Sequence, residues 1–345
     1  MNQKQIFKFR KHVNCTNDIE LIKPPELVEI ILNNKCNFRC KMCNIWKNKH
    51  DFKLSIEKLK DLIDHISLLG NNLTIQFLGG ETLLYEDLVE AINYTSSKNI
   101  RTVITTNSSL LTKNKIIELG NAGLCSINLS LDSIDSSIHD FLRGTKNSHK
   151  KVIESIKLLN KYAPKIRINI NTIIMSPNTN GLKNIVNFVQ NNKSIDQIYF
   201  IALEKPYNST YDSDWRQNSP ISYLWPDDKK LIKQIFNELI KLKNDTTSKI
   251  SNSINQLEKY KEYYLEPNKF VKQKGCIFGF NHLMINHLGT VSLCTTHKEF
   301  SDLGNITKKK ITDIWKSKKA SIVRQKMFNC KQNCVQILSC VYKDE

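Results

Sequence analysis

The sequence predicts an α/β fold, a partial (β/α)6 TIM-like barrel followed by a small C-terminal hairpin-plus-helix domain. Six apolar, strand-like runs alternate with amphipathic helical segments between residues 27 and 243. Polar or glycine-rich residues follow the first four runs, and eight of the ten cysteines fall in two regions of the chain. Strands that alternate with helices form a parallel sheet, and six units are fewer than the eight of a complete barrel.

The strands are predicted from short runs rich in β-branched and apolar residues. Such residues suit a buried, pleated surface, and runs of about four to eight residues suit strands better than helices. The predicted strands cover residues 27–32, 73–78, 101–106, 126–131, 166–175 and 197–203.

The helices are predicted from apolar residues that recur at intervals of three and four. The first, 55–70, places Leu59, Ile63 and Ile66 on one face and ends at Gly70, a residue typical of helix ends. The others are predicted at 85–97, 114–123, 149–162, 182–192 and 227–243.

No repeat or low-complexity linker interrupts this series, so the domain boundaries follow the elements. We expect an N-terminal extension (1–26), the barrel (27–243), a connecting helical segment (244–275) and a C-terminal domain (276–345). In the last, alternating apolar residues around Gly289 predict a β-hairpin. Residues 304–325 are predicted as one helix that carries Ile311, Ile314 and Trp315.

The net charge of the chain is +18, from 51 Lys and Arg against 33 Asp and Glu. A basic chain can bind nucleic acid, but the lysines are dispersed and no arginine-rich block occurs, so nucleic acid is not the expected partner. No run approaches the roughly 20 apolar residues of a membrane helix, and the N-terminus lacks the apolar core of a signal peptide. We therefore expect a cytoplasmic protein, whose cysteines indicate metal binding more than disulfides.

Three cysteines stand close together directly after the first strand. Cys36, Cys40 and Cys43 form the pattern CxxxCxxC. Three thiolates are too few for a tetrahedral zinc site made of cysteines alone and suit a site with one open position. Structural zinc is the alternative, and His50 would then be the fourth ligand.

Unusual residues also follow the next three strands. Residues 79–82 (GGET) follow the second strand, residues 105–109 (TTNSS) end the third, and Ser130 and Asp132 end the fourth. Barrels of this kind carry their chemistry at the carboxyl ends of the strands. We therefore predict that this rim is the active site.

The CxxxCxxC, GGE and SLD motifs, in this order and each after a strand, resemble those of radical S-adenosylmethionine (SAM) enzymes. The resemblance implies a 4Fe–4S cluster on Cys36, Cys40 and Cys43, with its open iron bound by the amino and carboxylate groups of SAM. It also implies reductive cleavage of SAM to a 5′-deoxyadenosyl radical, which abstracts a hydrogen atom from the substrate. An electron donor such as flavodoxin or ferredoxin would supply the electron.

The resemblance extends to individual residues that would bind SAM. Gly79, Gly80 and Glu81 match the GGE motif, which meets the methionyl amino group, and glycines also let backbone approach a ligand closely. Arg143 matches an arginine suited to the methionyl carboxylate.

Other positions carry over near the nucleoside. These are Asn107, Ser130 and Asp132, which match polar positions near the ribose hydroxyls, and Met42, whose backbone would meet the adenine. The chain departs from the usual family pattern at Leu78, Thr82 and Ser108.

The C-terminal cysteines resemble those of the auxiliary domains called SPASM and Twitch. A radical cluster plus two fully ligated auxiliary clusters would need about eleven cysteines, and the chain has ten, so we expect a single auxiliary 4Fe–4S cluster. The expected ligands are Cys276, Cys294, Cys330 and Cys334, the last two on one helical turn, with Cys340 as the spare. A zinc site is the alternative.

The predicted function is hydrogen abstraction from a peptide side chain or from a sugar or aminocyclitol, for a net oxidation or a cross-link. The alternative is a non-catalytic iron–sulfur protein for electron transfer or cofactor carriage. Only 35 residues precede Cys36, which inclines the expectation toward a small molecule. The segment 204–275 is either a substrate loop or a connection that packs the two domains. Glu204, Lys205 and His297 are candidate proton acceptors.

Overall fold

The computed structural model describes residues 22–47, 53–206, 209, 214–269, 276–294, 300, 302–331 and 334. Its strands are β1 Leu27–Ile31, β2 Thr74–Leu78, β3 Arg101–Thr106, β4 Ser126–Ser130, β5 Arg167–Ile174, β6 Gln197–Ala202, β7 His282–Ile285, β8 Thr290–Ser292 and β9 Gly304–Asn305. All six predicted barrel strands are present.

The helices alternate with these strands along the barrel. They are α1 Ile56–Ser67, α2 Leu88–Ser97, α3 Lys113–Asn121, α4 Ser136–Arg143, α5 Ser148–Tyr162, α6 Leu182–Asn191, α7 Trp215–Asn218, α8 Lys229–Lys243, α9 Ile254–Leu265, α10 Phe278–Asn281, α11 Ile311–Trp315 and α12 Lys318–Phe328. Side chains of Ser55, Thr112 and Asp228 accept hydrogen bonds from the first turns of α1, α3 and α8, which are stabilising N-caps.

The six barrel strands lie side by side in chain order and are all parallel, and the full sheet has the order β6-β5-β4-β3-β2-β1-β7-β8-β9. This is the predicted partial (β/α)6 arrangement. In the parts of the chain that the structure describes, no helix is both long and apolar enough to span a membrane.

The two faces of the barrel sheet differ in polarity. Residues such as Val28, Ile75 and Ile104 are fully buried in the core that also contains the helices. The residues that alternate with them form the opposite face, which we call the inner face. Its partly buried polar members include Glu29, Gln76, Thr105, Asn128, Asn169, Asn171 and Tyr199.

The inner face is connected by side-chain hydrogen bonds across neighbouring strands. Gln76 Nε2 donates to Thr105 Oγ1 at 3.0 Å, and Asn128 Nδ2 donates to the same oxygen at 3.3 Å. Asn169 Nδ2 donates to Asn128 Oδ1 at 2.9 Å. The interior of the barrel is therefore a neutral, hydrogen-bonding surface over much of its width.

The C-terminal hairpin continues the barrel sheet. β7 pairs parallel with β1, so that Met284 stands opposite Glu29, and β8 returns antiparallel to β7. Gly289 lies in the turn with φ +78°, a left-handed conformation that glycine adopts without strain. The hairpin prediction is confirmed, and its attachment to the barrel is an addition.

The prediction of one C-terminal helix was wrong. Residues 304–325 contain the short strand β9 and two helices, α11 and α12, which are separated at Lys316 and Ser317. The Ser317 hydroxyl accepts a hydrogen bond from Ala320 N at 3.1 Å, and this N-cap begins a new helix. Because α12 ends at Phe328, Cys330 and Cys334 both lie after this helix.

Candidate active site

The cysteine loop, residues 33–47, follows β1 and contains the free thiols of Cys36, Cys40 and Cys43. Phe38 N donates to the Cys36 sulfur at 3.4 Å, and Ile45 N donates to the Cys43 sulfur at 3.5 Å. Hydrogen bonds of this kind tune the sulfur ligands of iron–sulfur sites. Burial raises the pKa of the Cys40 thiol to about 11, so metal loading there must release a proton.

The three thiols fit a cluster by their chemistry. Cys36 and Cys43 lie close enough to Cys40 to act on its pKa. A single zinc ion requires every sulfur about 2.3 Å from one point. The thiolates of a four-iron cluster bind different irons and need no common point.

The GGE loop, residues 79–81, is attached to the cysteine loop through backbone hydrogen bonds. Gly80 N donates to Asn33 O at 3.2 Å, and Glu81 N donates to Lys35 O at 2.7 Å. A Cβ on Gly80 would lie 2.0 Å from Lys35 O, so no other residue fits this approach. Gly80 therefore sets the distance between the two loops.

Glu81 is almost fully buried, with 2% of its surface exposed. Its Oε1 accepts hydrogen bonds from Thr106 Oγ1 at 2.6 Å and Leu83 N at 3.0 Å, and its Oε2 accepts from Asn107 N at 2.8 Å. Burial raises the pKa of Glu81, while these three donors act in the opposite direction. The Glu81 side chain thus connects the C-terminal ends of β2 and β3, and its Oε2 can accept one more hydrogen bond.

Asn107 joins the end of β3 to the cysteine loop. Its Nδ2 donates to Asn37 Oδ1 at 2.9 Å, and its Oδ1 accepts from the Ser109 hydroxyl at 2.6 Å. Ser109 Oγ in turn accepts from Asn37 Nδ2 at 2.8 Å. The three side chains form a closed ring of hydrogen bonds at the rim.

Arg143 and Asp132 form a buried ion pair, with Arg143 Nε 2.8 Å from Asp132 Oδ2. The other carboxylate oxygen of Asp132 accepts from Ile173 N at 3.1 Å. Burial raises the pKa of Asp132, and the Arg143 charge acts against this rise. The Arg143 charge also acts on the Cys40 thiol, so the arginine lies beside the cysteine loop.

His139 and Gly144 support this pair. Burial lowers the pKa of His139 to about 3, so the ring is neutral and its Nδ1 accepts from Asp132 N at 3.2 Å. Gly144 has φ +61°, and a Cβ there would lie 2.2 Å from Arg39 O. The glycine after Arg143 therefore allows α4 to end against the cysteine loop.

Two further predicted residues lie at different depths. Ser130 is partly buried at the last position of β4, in register with Asn171. Met42 is 8% exposed and belongs to the apolar core. Their contacts with the nucleoside stay predictions.

Three of the predicted auxiliary ligands come together in the C-terminal region. Burial raises the pKa of Cys276 to about 12, and Cys294 and Cys330 add smaller effects in the same direction because they are close by. Cys334 is buried and acts electrostatically on Tyr263 of α9. Cys340 lies outside the described residues.

Aromatic residues of the segment 204–275 pack against the end of the barrel. Trp225 contacts Tyr264 with ring centroids 4.9 Å apart. The Tyr264 hydroxyl donates to Ile174 O at 2.7 Å and accepts from Leu203 N at 2.7 Å. Trp225 and Tyr264 therefore pack as part of a connection, whereas Tyr223 of the same segment is exposed. Glu204 is partly buried and Lys205 exposed, while His297 is outside the described residues.

Sequence reasoning missed several residues that build this rim. Asn33 and Asn37 of the cysteine loop contact Glu81 and Asn107, and Gly144 lies against Arg39 of the same loop. These contacts exist only in the folded chain, and single asparagines carry no motif signal. The sequence shows that Gly144 directly follows Arg143. Only the close approach of the Arg39 carbonyl explains why this position needs glycine.

A parallel barrel with three thiols, a GGE loop and a buried Arg–Asp pair at its rim defines an iron–sulfur enzyme site. A sequence profile of the Radical SAM superfamily matches residues 30–189, and a profile of the SPASM iron–sulfur cluster-binding domain matches residues 276–340.

Individual relatives agree with these matches. GTP 3′,8-cyclase of Clostridium botulinum is 30% identical over 293 residues, which cover 81% of this chain and 83% of the relative. AdoMet-dependent heme synthase of Oleidesulfovibrio alaskensis is 23% identical over 298 residues, 83% of this chain and 73% of the relative. The crystal structure of Streptococcus suis SuiB bound to precursor peptide SuiA has the same fold, with a TM-score of 0.66, 18% identity and coverage of 90% and 69%.

The chain belongs to the radical SAM superfamily and is a radical SAM enzyme with a C-terminal SPASM domain. It uses a 4Fe–4S cluster, SAM and an auxiliary iron–sulfur cluster. The non-catalytic alternative and the two zinc alternatives are therefore set aside.

Proposed function

We propose that this enzyme abstracts a hydrogen atom from a peptide side chain, or from a sugar or aminocyclitol, for a net oxidation or a cross-link. The backbone attachment of the GGE loop to the cysteine loop carries the proposal, because the proposed SAM-binding loop is hydrogen-bonded to the loop that bears the proposed cluster ligands. When bound, the cluster and SAM supply a 5′-deoxyadenosyl radical as the hydrogen-abstracting species.

Cys36, Cys40 and Cys43 are the ligands of the SAM-binding cluster in this proposal. Phe38 N and Ile45 N hold two of the sulfurs in place. The Arg143 guanidinium stands beside Cys40, where its positive charge favours the thiolate over the thiol. The same guanidinium has five N–H donors, so it can also donate hydrogen bonds to the methionyl carboxylate.

Glu81 would hold the methionyl amino group through the acceptor position left on Oε2. Asp132 has a different task. It is fully buried, its Oδ2 lies in the ion pair with Arg143, and its Oδ1 accepts a hydrogen bond from Ile173 N. We infer that Asp132 positions Arg143 and that ribose contacts come from Asn107 and Ser130.

The auxiliary cluster is assigned to Cys276, Cys294, Cys330 and Cys334. The proximity of Cys294 and Cys330 to Cys276 supports the first three. Cys334 is buried, as a cluster ligand would be.

The peptide substrate class gains support from one solved relative. SuiB, which has this fold, was crystallised with a precursor peptide. Electron delivery by a flavodoxin or ferredoxin remains part of the proposal.

Anaerobic SAM cleavage tests the proposal. The purified, iron-loaded and reduced protein should form 5′-deoxyadenosine and methionine, and a variant with Cys36, Cys40 and Cys43 all changed to alanine should form none. A fully iron-loaded wild-type protein that leaves SAM intact, or a triple variant that cleaves it, would contradict the proposal.

Gly80→Ala should also abolish SAM cleavage, because its Cβ would collide with Lys35 O and separate the GGE loop from the cysteine loop. The matched control is Gly181→Ala, whose Cβ would meet Ser133 Oγ at an ordinary 3.6 Å. SAM binding, measured by equilibrium dialysis, should fall at least about tenfold for Gly80→Ala and stay unchanged for the control. Equal affinities would show that the loop spacing does not matter.

A further inference from the structure

Glu29 is an ionisable residue in the middle of β1, on the inner face of the barrel. Its neighbours on the same strand, Val28 and Ile30, are fully buried on the helix side. Glu29 itself keeps part of its surface open to the interior of the barrel, although protein surrounds it. Among the described residues, its carboxyl group makes no hydrogen bond and no ion pair.

The residues around Glu29 are uncharged. Gln76 of β2 and Met284 of β7 stand opposite it in register. Gln76 donates its side-chain N–H to Thr105, and the polar network continues from there to Asn128. The barrel therefore surrounds one carboxyl group with neutral amides and hydroxyls.

The other ionisable groups on this face of the described strands are Arg101, Arg167, His282 and Tyr199. Arg101 and Arg167 share the face but lie exposed at the first residues of β3 and β5. His282 stands opposite Leu27 on β7 and stacks on Phe278, with ring centroids 4.3 Å apart. Tyr199 of β6 uses its hydroxyl to accept from Gln256 Nε2 at 2.9 Å.

The position of Glu29 relative to the rim suits substrate binding. It lies two residues before Ile31, the last residue of β1, which corresponds to about 7 Å of strand. Gln76 has the same relation to Leu78, after which the GGE loop begins. A substrate that enters from the rim, with its reacting carbon near SAM, would extend toward Glu29.

We propose that Glu29 is the specificity-determining residue of the barrel and binds a protonated nitrogen of the substrate. The substrate would then carry a basic group, such as the side chain of a lysine or arginine in a peptide or the amine of an aminocyclitol. This inference rests on the proposed function and restricts its substrate class.

The electrostatics of the site agree with this assignment. Burial raises the pKa of Glu29 to about 7, and no charged neighbour among the described residues offsets this rise. A bound cation would supply a compensating charge and a charge-assisted hydrogen bond. An anionic or apolar ligand would leave the cost of the buried carboxylate in place.

Carbodiimide labelling tests the proposal without the reaction. Dicyclohexylcarbodiimide is an apolar reagent that modifies protonated carboxyl groups shielded from water, and mass spectrometry identifies the modified residue. The iron-loaded full chain is labelled at pH 6 alone, with 1,5-diaminopentane, or with 1,5-pentanediol. Glu29→Gln is the neutral variant, and Glu26→Gln, which removes an exposed carboxyl group three residues earlier, is the matched control.

We expect modification of Glu29 in the wild type and in Glu26→Gln. The diamine at five times its dissociation constant should reduce this modification about sixfold, and the diol should not change it. Equal protection by diamine and diol, or no modification of Glu29 at any pH from about 5 to 8, would overturn the proposal. SAM cleavage in the same samples separates the two ideas, since cleavage without selective protection contradicts only the role of Glu29, whereas absence of cleavage contradicts the proposed function.

Discussion

Ser108 illustrates how a single residue at the rim is strained. It has φ +70°, a left-handed conformation that costs a residue with a Cβ about 1–2 kcal/mol. Its hydroxyl is buried and finds no hydrogen-bond partner among the described residues. This residue follows Asn107 and stands where the family pattern usually has glycine.

Ser108→Gly should therefore stabilise the protein by on the order of 1 kcal/mol, because relief of strain and removal of the hydroxyl exceed the entropy that glycine adds to the unfolded chain. Thermal unfolding of the iron-loaded protein measures this. Ser108→Ala, which removes only the hydroxyl and keeps the Cβ, should gain less. A lower midpoint for the glycine variant would show that the left-handed backbone at this position does not limit stability.

Glu29 should make stability depend on pH. Burial raises its pKa from 4.5 to about 7, so between these values the folded chain keeps a proton that the unfolded chain has lost. The free energy of unfolding therefore falls as pH rises through this window.

Glu29→Gln should abolish this fall in the free energy of unfolding with rising pH. We expect this variant to be more stable than the wild type by about 1–3 kcal/mol at pH 8 and similar to it near pH 4.5. Urea unfolding at both pH values checks this, with Glu26→Gln as the exposed-carboxyl control. An equal change at both pH values would mean that packing, and not titration, explains the variant.

At the scale of elements, the rim depends on loops that follow different strands and meet one another. The cysteine loop follows β1, receives the GGE loop from β2 through Gly80, and receives the end of α4 through Lys41 N, which donates to Leu142 O at 2.9 Å. These contacts are made by backbone atoms, and the side-chain hydrogen bond from Asn107 to Asn37 adds to them. The two glycines, Gly80 and Gly144, are required where the loops touch.

The break between α11 and α12 is also a feature of the elements, and the stabilising effect of its N-cap can be measured. Ser317→Ala should lower stability by about 1 kcal/mol, since the hydroxyl that accepts from Ala320 N would be lost. Ser321→Ala within α12 is the matched control and should be nearly neutral. Comparable thermal midpoints for the two variants would contradict the capping role.

At the scale of the whole molecule, the C-terminal domain and the barrel share one sheet. β7 covers the edge of β1 that β2 does not use. β1, which precedes the cysteine loop, is therefore paired on both sides. The first auxiliary cysteine, Cys276, stands only a few residues before β7. This arrangement keeps the two iron–sulfur regions in a defined relation.

The iron content should reflect the two regions separately. Anaerobic reconstitution should give about eight irons per chain, and the Cys36, Cys40 and Cys43 triple alanine variant about four. In that triple variant, Cys334→Ala should abolish the remaining cluster, while Cys340→Ala should preserve it. The opposite pattern in the iron–sulfur absorption spectrum would make Cys340 the ligand.

The sequence by itself determined the barrel elements, because their signals are local. Apolar periodicity located all six strands, with β3 at its predicted residues. Motif spacing located the cysteine loop and the GGE loop, and the family resemblance indicated Arg143. The same local reasoning failed at residues 304–325, where apolar residues at helical spacing suggested one helix and the Ser317 cap was overlooked.

Only the tertiary structure decided what depends on contacts between distant residues. The pairing of β7 with β1 joins residues more than 250 positions apart, and no pattern within either strand specifies its neighbour. The Arg143–Asp132 pair, the Gly80 contact with Lys35 and the isolation of Glu29 are of the same kind. Burial, charge pairing and close approach are properties of surroundings, and for these residues the surroundings exist only after the chain has folded.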